Sequence, residues 1–418
     1  MRSFARFSLN EQSGSTSSDS SRFPAARYWN PGEGTGAAQC ELCPRQCLVL
    51  PGRRGKCGIR LNQDGRLTAP FYGRYTSLAV DPIEKKPLYH FFPASQVLSV
   101  GTAGCNLSCR FCQNWQISQE HFEPASLGVF TPEEFASLAV RRGVASAAFT
   151  YNEPSIWAEF VIDAALACRK RGIKTVAVTN GMIRAEARRD FYAAMDAVNI
   201  DLKAFQDGFY RNLCGGTLDA VKDTIRYVAR ETGVWLEVTN LIIPTRNDSL
   251  DDIARMCEWL VETAGVDVPV HFSAFFPTYR LTDAPRTPPE ILFKAIDVAG
   301  KAGLQYAYAG NVPGSRGQAT LCPECGKEIV HRTGYRTSSD IAPETPVAEG
   351  ETRLGTGEQP GTGYSLGLPA SAGGYSFAAR PLFVPVSASA PKPTAPKGAK
   401  GSRGVCPHCR TVIAGRFF

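Results

Sequence analysis

The chain has 418 residues, of which 43% are apolar and 20% charged, with a net charge of +7. That composition suits one large domain with attachments, or two medium ones, around a real core. No run approaches eighteen apolar residues, which excludes a membrane-spanning helix, and no block of five or six like charges argues for nucleic acid or a strongly acidic partner.

Residues 1–38 are polar and Gly/Ser-rich, and the composition predicts disorder. The start, MRSFARFSLNEQSGSTSSDSSR, lacks the apolar middle of a secretory signal, and Glu11 and Asp19 are foreign to an organelle transit peptide. A cytoplasmic protein is expected. Its fourteen cysteines are then informative, because eleven fall into three clusters with metal-ligand spacing, and a reducing compartment favours metal over disulfides. The other three, Cys168, Cys214 and Cys257, read as small buried apolar residues.

The first cluster lies in a segment spanning 39–95, where CELCPRQCLVLPGRRGKCGIR carries Cys40, Cys43, Cys47 and Cys57. Four thiolates close a zinc tetrahedron, the reading a compact loop-rich knot favours, and an auxiliary [4Fe-4S] cluster is the alternative. From 96 to 310 the pattern becomes regular. QVLSVGT, SAAFTY, KTVAVTN, AVNIDL, VWLEVTNLII, VPVHFSAFF and LQYAYAG read as strands. Six amphipathic helical stretches lie between them, opened by Thr, Ser, Asp or Pro and closed in most cases by Gly. Strands alternating with helices predict βα units around a parallel sheet. The expected fold is α/β, a partial (β/α) barrel of six or seven strands with small Cys-rich modules at both ends.

Barrel chemistry belongs at the C-terminal ends of the strands. Cys105, Cys109 and Cys112 follow the first strand in GCNLSCRFCQNW, Asn152 and Glu153 the second, and Thr179 and Asn180 the third. Asp201 and Lys203 end the fourth, and Thr239 and Asn240 lie in the fifth. Each has a plainer reading: Glu153 before Pro154 could start a helix, Asp201 and Lys203 could be a surface pair, and Asn240 could satisfy a backbone group. His271, inside a strand, reads as packed rather than catalytic.

The remaining segments are a module at 311–335 and 403–418, and a Pro/Gly/Ala/Ser-rich insert at 336–402 expected to be disordered. The module pairs Cys322 and Cys325 of CPECG with Cys406 and Cys409 of CPHCR, two C-x2-C knuckles suited to tetrahedral zinc. The long gap is tolerable because loop-closure entropy grows only logarithmically with length.

The C-x3-C-x2-C spacing, with Phe111 before the last cysteine, resembles the signature of radical S-adenosylmethionine (SAM) enzymes. The resemblance implies a [4Fe-4S] cluster on Cys105, Cys109 and Cys112, with SAM chelating the open iron and yielding a 5′-deoxyadenosyl radical. Tyr151-Asn152-Glu153-Pro154 resembles that family's Gly-Gly-Glu-Pro stretch. Asn180-Gly181 resembles its Thr-Asn-Gly, Asp201-Leu202-Lys203 the Asp-Leu-Lys of glycyl-radical-enzyme activases, and Leu241-Ile242-Ile243-Pro244 their Val-Val-Pro. These matches imply SAM contacts from Asn152, Glu153, Asn180, Asp201, Lys203 and Asn240. DPIEKKPLYHFFP at 81–93, YNEP, AYAGNVPG at 307–314 and the outer cysteine motifs resemble the AmmeMemoRadiSam-system enzymes, a branch of the pyruvate formate-lyase activating enzyme-like group. That resemblance implies Memo-like and AMMECR-like partners and an electron donor such as flavodoxin or ferredoxin, with the substrate undisclosed. Two features depart from true activases: Val178 stands where they carry Asp, and SAFFPTY lacks their late His. A glycyl-radical activase is therefore the alternative function. A zinc-ribbon nucleic-acid-binding protein is a third, disfavoured by the sparse basic patterning around the knuckles.

Overall fold

The computed structural model describes residues 23–312, 314, 316–344 and 404–418. Its centre is one eight-stranded sheet: β1 (Ser77–Pro82), β2 (Gln96–Gly101), β3 (Ser146–Phe149), β4 (Lys174–Thr179), β5 (Ala197–Asp201), β6 (Trp235–Ile242), β7 (Val270–Ala274) and β8 (Ala307–Gly310). The spatial order follows the chain from β1 to β8. Strands β2 to β8 are parallel, and β1 runs antiparallel against β2. Seven parallel strands correspond to the seven apolar runs of the sequence. Their residues are buried on both faces, as in VLSVG of β2 and SAAF of β3, which is why these runs do not alternate.

Six helices connect the strands: α1 (Pro132–Arg141), α2 (Ala158–Lys170), α3 (Ala185–Ala193), α4 (Leu218–Glu231), α5 (Leu250–Ala264) and α6 (Pro289–Lys301). Their starts are chemically marked. Thr131 and Glu134 form a reciprocal capping box at α1, Thr131 Oγ1 accepting from the Glu134 amide at 3.2 Å and Glu134 Oε2 from the Thr131 amide at 2.8 Å. Ser249 caps α5. No helix among the described residues is long and apolar enough to cross a membrane.

The segment boundaries shift from those expected. Within 1–38, residues 1–22 lie outside the described residues, but Trp29–Pro31 is a strand paired with Ala38–Cys40. Composition hid two aromatic anchors there: Tyr28 donates from its hydroxyl to Asp190 at 2.8 Å, and Trp29 from its indole to the Ala26 carbonyl at 3.1 Å. The 39–95 segment gives strand β1 to the main sheet rather than merely leading into it. Of the insert expected at 336–402, residues 345–402 lie outside the described residues, while Arg336–Ser339 and Ala342–Pro343 are strands, with Ile341 buried between them.

The C-terminal module consists of two small antiparallel sheets. One is built from Thr320–Leu321, Glu328–Thr333 and Arg336–Ser339, the other from Ala342–Pro343, Gly404–Val405 and Val412–Ile413. It shares a core with Tyr89, Tyr306 and Tyr308 of the main sheet and its lead-in. There Glu237, buried at the start of β6, accepts four hydrogen bonds. The donors are the Tyr89 and His90 amides (2.9 and 2.8 Å), the Trp235 indole (3.0 Å) and His271 Nε2 (2.6 Å). His271 is thus packed and paired, as its strand position suggested. His90 continues the network to the Tyr308 hydroxyl and the Ala414 carbonyl, both at 2.6 Å.

Candidate active site at the strand ends

Strand β2 delivers the three-cysteine loop, and its neighbours hold that loop from several sides. Asn106 is fully buried; its amide donates to the Met182 carbonyl at 2.7 Å and its Oδ1 accepts from Asn180 Nδ2 at 2.8 Å. Asn180 Nδ2 also lies 3.8 Å from Cys105 Sγ, which receives the Leu107 amide at 3.3 Å. Donors aimed at a sulfur stabilise its thiolate and are characteristic of cluster ligands. Asn152 donates to the Gly104 carbonyl at 2.8 Å and accepts from the Thr102 amide at 3.3 Å.

Glu153 is buried, and both carboxylate oxygens are engaged. It accepts from the Thr179 hydroxyl (2.6 Å), the Asn180 amide (2.7 Å) and the Ser155 amide (2.9 Å), the last as cap of a short helix at Pro154–Trp157. Burial pushes its pKa up while these donors pull it back. Asn152 and Glu153 therefore position the cysteine loop and the end of β4. The plainer reading of Glu153 as a helix start describes what the structure shows.

The fourth strand end differs. Lys203 Nζ lies 2.8 Å from Asp201 Oδ2. Burial opposes the lysine's charge, but Asp201, then Cys109 and Cys214, more than offset it and raise its pKa well above the ordinary value. Cys109 is held below the usual thiol range by the Cys214 thiol first and by Lys203, against the effect of burial. Burial drives Cys105 and Cys112 the other way. One cation thus stands among the thiols where negative charge must be held. Asn240 spends its amide on the Leu202 carbonyl at 2.7 Å, fixing the Asp-Leu-Lys turn, yet its Oδ1 and the Thr239 hydroxyl are buried without partners. Orphaned buried polar groups are rare and mark a place for a ligand or water.

Several residues that serve this site were not assigned to it from the sequence, where Cys214 read only as a small buried apolar residue. Cys214 closes a one-turn π-helix at Tyr210–Cys214, and its carbonyl accepts the Ser108 amide at 2.8 Å. Gly215, at φ +67°, and Gly216 pack so closely on Ser108 and Leu107 that a Cβ at either would collide. The Gly-Gly pair was the available signal. Arg45, from the first cysteine knot, donates to the carbonyls of Asn106 and Gly215. Tyr279 stacks on Trp115 with ring centroids 5.2 Å apart, and the Arg280 amide donates to the Arg110 carbonyl at 2.9 Å. The segment around Tyr279 thus closes over the cysteine loop with an aromatic clasp.

The two outer quartets differ in geometry. Cys322, Cys325, Cys406 and Cys409 sit on the two hairpin turns of the C-terminal module with all four sulfurs within 4.8 Å of one another. Thr411, through its hydroxyl and then its amide, holds the Cys409 thiol down to about 6. Cys40, Cys43, Cys47 and Cys57 share one knot, with the Cys40 amide donating to the Cys47 carbonyl at 2.9 Å, but their sulfurs are more widely spread.

Comparison with known proteins identifies the superfamily. The model of the radical SAM superfamily matches residues 99–260, from β2 to α5. An uncharacterized protein of Methanocaldococcus jannaschii is 43% identical over 294 residues, covering 70% of this chain and 87% of the relative. The pyruvate formate-lyase 1-activating enzyme of Escherichia coli is 28% identical over 173 residues, covering 39% of this chain and 68% of that enzyme. Among solved structures, a domain of pyruvate-formate lyase-activating enzyme from Bacteroides vulgatus aligns at 21% identity and a TM-score of 0.36, covering 40% of this chain and 99% of that one. SuiB of Streptococcus suis bound to S-adenosylmethionine aligns at 14% identity and a TM-score of 0.41, covering 50% of this chain and 49% of that one. The chain belongs to the radical SAM superfamily, with homologues among pyruvate formate-lyase activating enzymes. Membership implies an enzyme of the radical-generating kind that uses a [4Fe-4S] cluster and SAM.

Proposed function

We propose that Cys105, Cys109 and Cys112 hold the [4Fe-4S] cluster of this enzyme and that SAM binds beside them across the ends of β5 and β6, within a sheet curved as a partial barrel. The observation that carries this reading is the convergence of three cysteines, the Lys203 cation and the orphaned Asn240 Oδ1 at neighbouring strand ends. When bound, the cluster supplies the electron that cleaves SAM to methionine and the 5′-deoxyadenosyl radical, which takes hydrogen from the substrate. The chain's own residues orient and enclose. Lys203 pairs with a carboxylate, and Asp201 accepts from an ammonium group. Asn240 Oδ1 offers a further acceptor. Asn152, Glu153 and Asn180 act one step back, fixing the loop and the sulfur of Cys105.

The C-terminal quartet fits zinc: tetrahedral Zn–S bonds of about 2.3 Å place the sulfurs about 3.8 Å apart, and Cys322–Cys409 and Cys325–Cys406 measure 3.5 and 3.8 Å. The AmmeMemoRadiSam affiliation, its Memo-like and AMMECR-like partners, a flavodoxin or ferredoxin donor and a cytoplasmic location belong to the same reading. The affiliation and its partners rest on the motifs at 81–93, 151–154 and 307–314, and the location on the composition of the first residues. A glycyl-radical activase stands second, favoured by the similarity to the Escherichia coli activating enzyme. Val178 and the Trp115–Tyr279 clasp in place of a late histidine count against it.

Anaerobic reconstitution tests the proposal. Protein reduced with dithionite in the presence of SAM is expected to form 5′-deoxyadenosine, and Cys109→Ala is expected to abolish it. Cluster-loaded wild-type protein that binds SAM yet releases no 5′-deoxyadenosine would overturn the reading.

A further inference from the structure

We propose that the N-terminal quartet, Cys40, Cys43, Cys47 and Cys57, ligates a second iron–sulfur cluster rather than a zinc ion. The chain carries its own standards for this choice. Among the described residues, the C-terminal quartet is the one group of three or more potential ligands whose donor atoms all lie within 4.8 Å. A mononuclear zinc site requires that closeness, since its sulfurs lie about 3.8 Å apart. The N-terminal sulfurs do not meet it, and neither do those of Cys105, Cys109 and Cys112. A [4Fe-4S] cube sets its thiolates at the corners of a larger body and takes four cysteines. Neither set forms the compact group that a mononuclear zinc requires, and the comparison with the triad rests on the reading above that the triad binds a cluster.

A separate observation points to an anionic group at the quartet. Arg60, three residues after Cys57, is almost completely buried. Its Nη2 pairs with Glu159 at 2.8 Å and also donates to the Arg27 carbonyl, while Nε and Nη1 are buried with no partner. Glu159 alone leaves two donors of a buried guanidinium unanswered, which is costly. Four thiolates around either a zinc ion or a cluster carry net negative charge, so Arg60 marks the quartet as an anionic metal centre and the sulfur spacing distinguishes the two. The quartet also lies against the three-cysteine loop. Gly104, at φ +82°, has the Cys57 carbonyl where its Cβ would stand, and Arg45 ties the knot to Asn106 and Gly215. The second centre would thus be built into the seam beside the first.

Metal content decides the matter. Wild-type protein reconstituted anaerobically with iron and sulfide, then desalted, is expected to hold about eight irons, about eight sulfides and about one zinc per chain. The triple variant Cys105→Ala/Cys109→Ala/Cys112→Ala is expected to keep about four irons and, once reduced, an electron paramagnetic resonance signal that SAM does not alter. An iron-free triple variant with about two zincs would overturn the proposal. So would wild-type protein holding about four irons whose reduced signal SAM alters, since the one cluster is then on the triad, and that measurement needs no variant to fold. A wild-type signal unmoved by SAM would instead count against the triad as the SAM site, so the two readings fail separately.

Discussion

Neighbouring polar groups on strand β6 sit on opposite terms. Glu237, buried on β6, answers four donors, and His90, Tyr308, Thr320 and Arg332 extend the network. Tyr308 meets Thr320 at 2.9 Å, and Arg332 reaches Thr320 at 2.8 Å and the Tyr89 carbonyl at 2.7 Å. The same strand leaves Thr239 and Asn240 with unanswered polar atoms. Two to three residues along one strand separate a carboxylate whose two oxygens are both engaged from polar atoms left without partners. Polar groups satisfied by the protein itself hold the fold together, and groups left open are available to a ligand.

Substitutions should separate the two settings by readout. The largest effect is expected from Glu237→Ala, which strands several buried donors and should lower unfolding stability by about 3–5 kcal/mol, measured by chemical denaturation. A variant as stable as wild type would remove the contrast. Acid should act in the same network. Burial, partly opposed by Glu237, lowers the His90 pKa to about 4. Between pH 6.5 and 4 the unfolded chain then binds a proton that the folded chain does not. This contribution is fully present above about pH 6.5 and fades as pH falls toward 4, amounting to about 3 kcal/mol. His90→Gln should flatten that part of a stability-against-pH curve.

At the candidate site, Lys203→Met is expected to slow 5′-deoxyadenosine formation about a hundredfold, or about 2.7 kcal/mol, with iron content retained. A thermal midpoint that fell in step with activity would show Lys203 to be structural. Asn240→Ala should have the smallest effect, weakening SAM binding about tenfold, or about 1.4 kcal/mol, as read by isothermal titration. No change in affinity would leave Oδ1 without a ligand role.

The sequence disclosed this architecture unevenly. The seven parallel strands and six helices were legible because apolar runs and capped amphipathic stretches are local signals. Strand β1 was not, since SLAVDP is short and its place depends on pairing with β2 nineteen residues later. At the site, motif positions located the cysteines and strand-end polar residues but not their tasks. Asn152 and Glu153 share the expected strand end, yet their hydrogen bonds are spent on the loop and on β4, and only coordinates show that. Arg45 and Arg60 were invisible for the same reason: each acts across more than sixty residues, on Asn106 and Gly215 in one case and on Glu159 in the other. The Trp115–Tyr279 stack joins residues more than a hundred and sixty positions apart, a contact that no spacing rule anticipates.

The seating of His90 has a consequence for biosynthesis. Its ring bonds the Ala414 carbonyl, its own carbonyl receives the Arg416 amide, and the Phe92 amide donates to the Arg416 carbonyl. A ribosome making this chain must therefore deliver residue 416 before the segment around His90 reaches its final partners. Until then the His90 carbonyl and the Phe92 amide lack these partners, so this corner of the structure closes only through a contact more than three hundred residues downstream. The last hairpin acts as the latch on that closure.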